Sequence, residues 1–350
     1  MKGNINMNSQ KIQKEHIRLP NTNSKSHSSE NRKEPKEYNK PLEQNIVGSN
    51  CKFDIEILCS PAQRISGDPG GPQPLAEDVV GIKFIPPNFL MGFVADGAPG
   101  TILKINTNKE NENSLNGETI DKQLIIFGSR EMAKLIGKKV FFKCALDMIN
   151  DKNGIGEEWK ENFTNKFKEY LEKESRKTFE PFLEDIPPEK FTLGPNDERF
   201  IQFQVSFVGF LLDLNSSKLF LFMPGDTKAC IGIRAEKHEN AKYSPVNIAN
   251  PIFLKIIKTS HKNLEAGIIE EPSPIFRPMI NNPTIKIEKN VSGIMLMSDG
   301  VINNKIFKEK CTNSNSFYEL CNSLKELDFR SADDKALLIV SLEENYENNK

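Results

Sequence analysis

The chain has 350 residues, with 47 Lys and Arg against 48 Asp and Glu, for a formal net charge of −1. That balance excludes a protein held to nucleic acid by bulk charge, and it excludes an acidic solvating chain. The length suits one large domain or two ordinary ones with a sizeable core, and no run of about 18 apolar residues exists, so neither a membrane span nor a membrane partner is expected.

Residues 1–48 are rich in Asn, Lys, Ser and Glu, and Tyr38 is their only aromatic. Such a segment buries too little apolar surface to offset its ordering entropy, so a disordered tail is expected. No apolar stretch follows its first lysine, so no secretory signal is expected and the cytoplasm is the expected location; export as an effector by a non-classical route would leave the same sequence. Cys51, Cys59, Cys144, Cys230, Cys311 and Cys321 form no CxxC pair and are expected as buried or free thiols. The histidines, His16, His27, His238 and His261, do not flank them, so a zinc site is not expected.

From Cys51 the texture changes. Lys52 to Leu58 alternates as a strand, and the Gly- and Pro-rich segment Gly67 to Pro74 reads as a loop. Asp78 to Ile85 and Leu90 to Val94 predict two neighbouring strands, and Thr107 to Asn116 a polar loop. Ser129 to Lys139 predicts a helix with Met132, Leu135 and Ile136 on one face. Trp159, Phe163, Phe167, Tyr170 and Leu171 form a core-facing helical stripe, and Pro187-Pro188 ends any helix nearby. Phe200 to Leu212, Leu219 to Met223 and Lys228 to Ile233, joined by the turns Asp213 to Lys218 and Pro224 to Thr227, read as an antiparallel meander. Residues 234–282 read as irregular. Thr284 to Glu288 and Ser292 to Met297 are strands, Asn315 to Leu327 an amphipathic helix, and Ala336 to Leu342 a last strand. The fold class is α+β, with antiparallel sheets covered by helices. A domain over 49–343 and a frayed end over 344–350 are expected.

Four acidic spots share one context. Glu77-Asp78 opens the strand VVGIKFI, Asp96-Gly97 closes FLMGFV, Asp299-Gly300 closes SGIMLMS, and Asp333-Asp334 opens ALLIVSL. Any one is an ordinary turn, but carboxylates at the strand ends of one packed sheet system can converge. Two of them about 4 Å apart repel by about 4 kcal/mol at an effective dielectric near 20. Three or four would not all stay ionised without cations. Oxygen-only ligands suit Mg²⁺ or Mn²⁺, and a site with two such ions can clamp a phosphoryl group for in-line attack.

FVADGAPG, LFLFMPGDTKACI, IMLMSDGV and SADDKALLIV resemble the ordered signature segments of the metal-dependent protein phosphatase 2C (PPM) family. The resemblance runs over about residues 50–343. It implies an α-β-β-α sandwich, two antiparallel sheets flanked by helices, with metals at one end. By the same resemblance Asp96 would bridge two divalent cations, Mn²⁺ or Mg²⁺, the Gly97 carbonyl would bind one, and Asp299 and Asp333 would bind the other. Glu77 and Asp78 would hold metal-bound waters, Asp334 would stand outside the ligands, and Asp226 would lie near a weaker third site. The implied activity is hydrolysis of phosphoserine or phosphothreonine in a phosphoprotein substrate by a metal-activated bridging water, and a monomer is expected.

The chain departs from that pattern in places. Gln73 stands where the family has an Arg that holds the phosphate, with Arg64 an alternative from upstream, so the phosphate-binding group stays open. Ala98-Pro99 replaces a frequent His after the Asp-Gly pair. Asn303 stands where a third-metal Asp is common, and Phe203-Gln204-Val205-Ser206 replaces a small-residue stretch. Besides an active enzyme, two readings therefore stay open: a phosphatase-like module that binds a phosphoprotein or regulatory partner without turnover, and an unrelated α+β domain whose Asp-Gly turns are only turns.

Overall fold

The computed structural model describes residues 53–60, 78–98, 130–150, 155–183, 192–193, 199–234, 239–243, 250–258, 273–314, 316–325 and 335–342. The expected tails at 1–48 and 344–350, the loops at 67–74 and 107–116, and Pro187-Pro188 lie outside the described residues.

Thirteen strands are present among the described residues: β1 Phe53–Ser60, β2 Val79–Ile85, β3 Phe89–Ala98, β4 Thr192–Leu193, β5 Arg199–Asp213, β6 Lys218–Met223, β7 Lys228–Arg234, β8 Glu239–Tyr243, β9 Ile252–Lys258, β10 Ile275–Met279, β11 Thr284–Glu288, β12 Val291–Met297 and β13 Lys335–Leu342. They form two antiparallel sheets. One has the order β1-β13-β12-β7-β8; the other runs β10-β9-β5-β3-β2, with β6 and β11 continuing beside the second half of β5. A helix entered at Arg130 passes through a π-helical segment, Leu135–Phe141, into α1, Phe142–Asn150. The others are α2 Trp159–Leu183, α3 Asp299–Ile302, α4 Lys305–Asn313 and α5 Phe317–Lys325.

Three apolar clusters define four layers. The first joins the π-helical segment, α1 and α2 to the outer face of the larger sheet, through Met91, Phe93, Phe141, Phe163, Phe167, Phe207 and Phe222. The second lies between the sheets and takes Leu90, Val94, Val208, Phe210, Ile231, Ile294, Leu296 and Leu338. The third seats α3, α4 and α5 on the smaller sheet through Met295, Met297, Phe317, Leu320 and Ile339. This is the α-β-β-α sandwich that the sequence resemblance implied. Strands β2, β3, β5, β6, β7, β12 and β13 each serve two of these clusters, because their side chains alternate between faces.

The helical stripe on α2 is core. Trp159, Phe163, Phe167 and Leu171 are buried. Phe163 stands 4.9 Å from both Phe220 and Phe222, centroid to centroid, and Phe167 4.8 Å from Phe222. Tyr170 is half-buried instead, and its hydroxyl donates to Asp147. That bond, with some burial, raises its pKa to about 12. Cys144, Cys230 and Cys321 are buried thiols outside any disulfide, and burial pushes the Cys144 thiol well up, which keeps it unreactive.

Four expectations are corrected. Asp96-Gly97 does not turn after its strand: β3 continues to Ala98, because Asp96 pairs with Ser206 and Gly97 with Val205 across the long β5. The meander breaks after β6. That strand pairs with β5 and β11, whereas β7 pairs with β12 and β8 in the other sheet, so the turn Pro224–Thr227 crosses from one sheet to the other. The region 234–282, expected to be irregular, carries β8, β9 and β10, whose mixed patterns gain their order from antiparallel partners. The helix expected over 129–139 also runs on to Asn150, carried by buried Phe141, Phe142, Ala145 and Met148.

Phe207, fully buried between Phe93, Phe141, Phe167 and Phe222, tests the helix-to-sheet layer. Phe207→Ala is expected to cost about 3–5 kcal/mol in unfolding free energy, measured by urea denaturation.

Candidate functional site

The inter-sheet core ends in a polar rim. On β2, Val80, Ile82 and Phe84 pack against that core, and Asp78 is the next residue in phase. On β3, Leu90 and Val94 are followed in phase by Asp96, and on β5, Val208 and Phe210 are preceded by Ser206. On β7, Ala229 and Ile231 are preceded by Thr227, and on β12, Ile294 and Leu296 are followed by Ser298. The same two-residue period that fills the sandwich with apolar side chains therefore delivers oxygen-bearing ones at one end. Asp78, Ser206, Thr227 and Ser298 are at most 6% exposed, and Asp96 is half-buried.

Strand pairing sets the spacing. Val79 pairs with Ala95, so Asp78 stands one step on, opposite Asp96, while Asp96 pairs on its other side with Ser206. The carboxyl of Asp96 is pushed well above the ordinary carboxylate range, first by burial, then by the charges of Asp78, Asp299 and Asp226. A hydrogen bond between the Asp96 and Asp299 carboxyl groups adds to the rise. Such a bond needs a proton on one of the two. Acids from three other motifs thus act on Asp96 at a single edge.

The crossing turn brings Asp226. Gly225 has φ +100°, and a Cβ there would lie 2.5 Å from Ser206 Oγ, so only glycine fits. Phe207 N donates to Pro224 O at 2.7 Å, and Asp226 N to Ser206 Oγ at 3.5 Å, which ties the turn to the strand position facing Asp96. Asp226 itself is exposed. Thr227, one residue on, is buried, and its Oγ1 has no hydrogen-bond partner among the described residues.

Asp299 is set by a second clamp. Ser298 N donates to Ala336 O, and Ala336 N donates back to Ser298 Oγ, each at 2.9 Å. This closes β12 against the start of β13 and releases the chain at Asp299 into the short helix α3, where Asn303 N donates to Asp299 O at 2.7 Å. Gly97, buried, lies within β3 beside these groups.

Of the residues singled out in the sequence, the structure brings together Asp78, Asp96, Gly97, Asp226 and Asp299. Glu77, Asp333, Asp334, Gln73 and Arg64 lie outside the described residues. Thr227 and Ser298 were read only as parts of their motifs, and Ser206 not as a site residue at all. The signal for all three was the inward phase of their strands, which needs the face of each strand to be known.

The donor chemistry fits a hard divalent cation. It is all oxygen and strongly anionic, and it includes a buried hydroxyl that no described residue satisfies. Among the described residues, no three His, Cys, Asp or Glu side chains meet closely enough to hold a metal ion by themselves. Asp96 and Asp299 meet directly, and Asp78 and Asp226 act on Asp96 through their charge.

No family model and no curated protein sequence matches this chain. Solved structures do match in overall shape. A serine-threonine phosphatase 2C from Toxoplasma gondii is 13% identical, with 87% of this chain and 98% of that one covered and a TM-score of 0.45. A serine/threonine phosphatase from Staphylococcus aureus is also 13% identical, over 87% of this chain and all of that one, with a TM-score of 0.43. The catalytic domain of the phosphatase PstP in complex with two manganese ions is 12% identical, over 83% and 99%, with a TM-score of 0.40. At such identity and overlap these likenesses carry no weight for the chemistry of this chain. Among the described residues, no helix is long and apolar enough to cross a membrane.

The raised pKa of Asp96 has a sign that can be checked. A carboxyl whose folded pKa lies above its unfolded value of about 3.9 supports the fold fully at low pH and loses that support as pH rises through the folded value. In EDTA, Asp96→Asn is therefore expected to melt higher than the parent at pH 7, with the difference fading towards pH 4. Each kcal/mol of relieved repulsion raises Tm by about 2–4 °C. Calorimetric melts across that range measure it, and a lower Tm for Asp96→Asn at pH 7 would contradict the assignment of repulsion to this edge.

Proposed function

We propose that the chain is a metal-dependent serine/threonine protein phosphatase. Asp96, Asp299 and Asp333 are its catalytic ligands, the Gly97 carbonyl is a further ligand, and Glu77, Asp78, Asp226 and Asp334 stand around them. The observation that supports this is the action of Asp78, Asp226 and Asp299 on the half-buried Asp96 at one rim of the sandwich. A phosphate ester would be repelled by these acids alone, so the reading requires cations, two Mn²⁺ or Mg²⁺, as its cofactors.

When bound, such ions supply neutralisation of the phosphoryl oxygens and an activated water. The chain's own residues supply the frame. Asp96 and Asp299 present opposed carboxyl groups from the two sheets, fixed by the Asp96–Ser206 pairing and the Ser298–Ala336 clamp. Asp78 is held beside Asp96 by the β2–β3 ladder. Ala98 stands where related motifs carry His, so the departing serine or threonine oxygen takes its proton from water or from another group. The substrate is a phosphoprotein that lays its modified side chain across the rim.

A second reading has one observation behind it. Gln73 and Ala98 stand where related motifs carry Arg and His, and a chain with weaker phosphate holding could dock partners without turnover.

Purified full chain, given an aryl phosphate and a phosphothreonine peptide, separates the two. Turnover in Mn²⁺ that disappears in excess EDTA is expected, and Asp299→Ala should lower kcat by roughly 100-fold or more, beyond the loss usual for groups one shell out from a metal. No metal-dependent turnover with either substrate would leave the docking module; full activity in Asp299→Ala would remove the assigned ligand.

A further inference from the structure

The reading above leaves Thr227 without a role. Its side chain is 4% exposed, and Oγ1 has no hydrogen-bond partner among the described residues. It follows Asp226, whose charge reaches Asp96, and precedes β7, whose alternate residues Ala229 and Ile231 fill the inter-sheet core. The same phase carries Thr227 to the core side, at the end where Asp78, Asp96 and Ser206 also stand in phase. The turn is held rigidly there by Gly225 and by the bond from Phe207 N to Pro224 O.

A buried hydroxyl that bonds nothing is unfavourable to the metal-free fold, and the cost is removed when an oxygen-seeking ligand enters beside it. We infer that the Thr227 hydroxyl is a further positioning group for a hydrated divalent cation at this rim, completing an oxygen set that the carboxylates begin. The inference rests on the metal reading of the rim proposed above. Thr227 acts through the ion's shell and not on the substrate, and its hydroxyl can both accept and donate, which suits a shell of oriented waters.

The signature is an opposition of signs. Thr227→Val keeps the shape and removes the hydroxyl, so in EDTA it is expected to melt at the parent's temperature or a few degrees above it. In the same protein the Kd for Mn²⁺, read by titration calorimetry on the full chain, is expected to weaken roughly tenfold, with a smaller Mn²⁺-induced rise in Tm. Thr227→Ser, which keeps the hydroxyl, should bind Mn²⁺ within about twofold of the parent. An unchanged Kd in Thr227→Val overturns the inference and leaves the metal reading intact. A Thr227→Val protein that fails to fold, or melts lower in EDTA with its Mn²⁺ affinity kept, assigns the hydroxyl to the fold and also overturns it. A parent chain that binds no Mn²⁺ overturns the inference together with the metal reading.

Discussion

Burial of the Asp96 carboxyl beside three other acids is the constraint around which this sandwich is arranged. Inside the gap between the sheets, Leu90, Val94, Phe210, Leu296 and Leu338 stabilise by excluding water. At the rim the strand alternation continues but the chemistry inverts, and each added carboxylate makes the next harder to ionise. A protein gains nothing in stability from such an edge in the absence of cations. Its cost has to be carried by the rest of the fold, and the three apolar layers are the part that can carry it.

The connections at this edge are correspondingly tight. The passage from β6 to β7 changes sheets in four residues, and it does so with a glycine at φ +100° pressed against Ser206. The passage out of β12 is closed by two hydrogen bonds between Ser298 and Ala336 before the chain enters α3. Both devices use main-chain bonds and small side chains to aim a following aspartate. Neither depends on the aspartate itself, so the rim's geometry and its charge are separable by mutation.

Part of the site was legible early. Asp78, Asp96-Gly97, Gly225-Asp226 and Asp299-Gly300 each sit against an apolar strand, and the boundaries of β2, β6, β12 and β13 follow from their runs within a residue or so. The stripe Trp159, Phe163, Phe167 and Leu171 read correctly as core because a 3.6-residue period has one physical meaning when charged residues fill the other face. What failed was pairing. Lys228 to Ile233 looked like the third strand of a meander because a short turn usually joins neighbours, and nothing local says that this turn spans two sheets. The strands β8, β9 and β10 were missed because an edge or partly covered strand need not alternate cleanly.

From the residues alone came most of the elements, the α+β class and a list of acids whose common setting pointed to one edge, because apolar periodicity and turn chemistry are local properties of a chain. Only the tertiary structure decided which face each strand turns inward, and with it that Ser206 and Thr227 belong with Asp78, Asp96, Asp226 and Asp299. The reason is physical: facing is set by packing between layers, and groups distant in the chain affect one another's charge only once folding has removed the water between them.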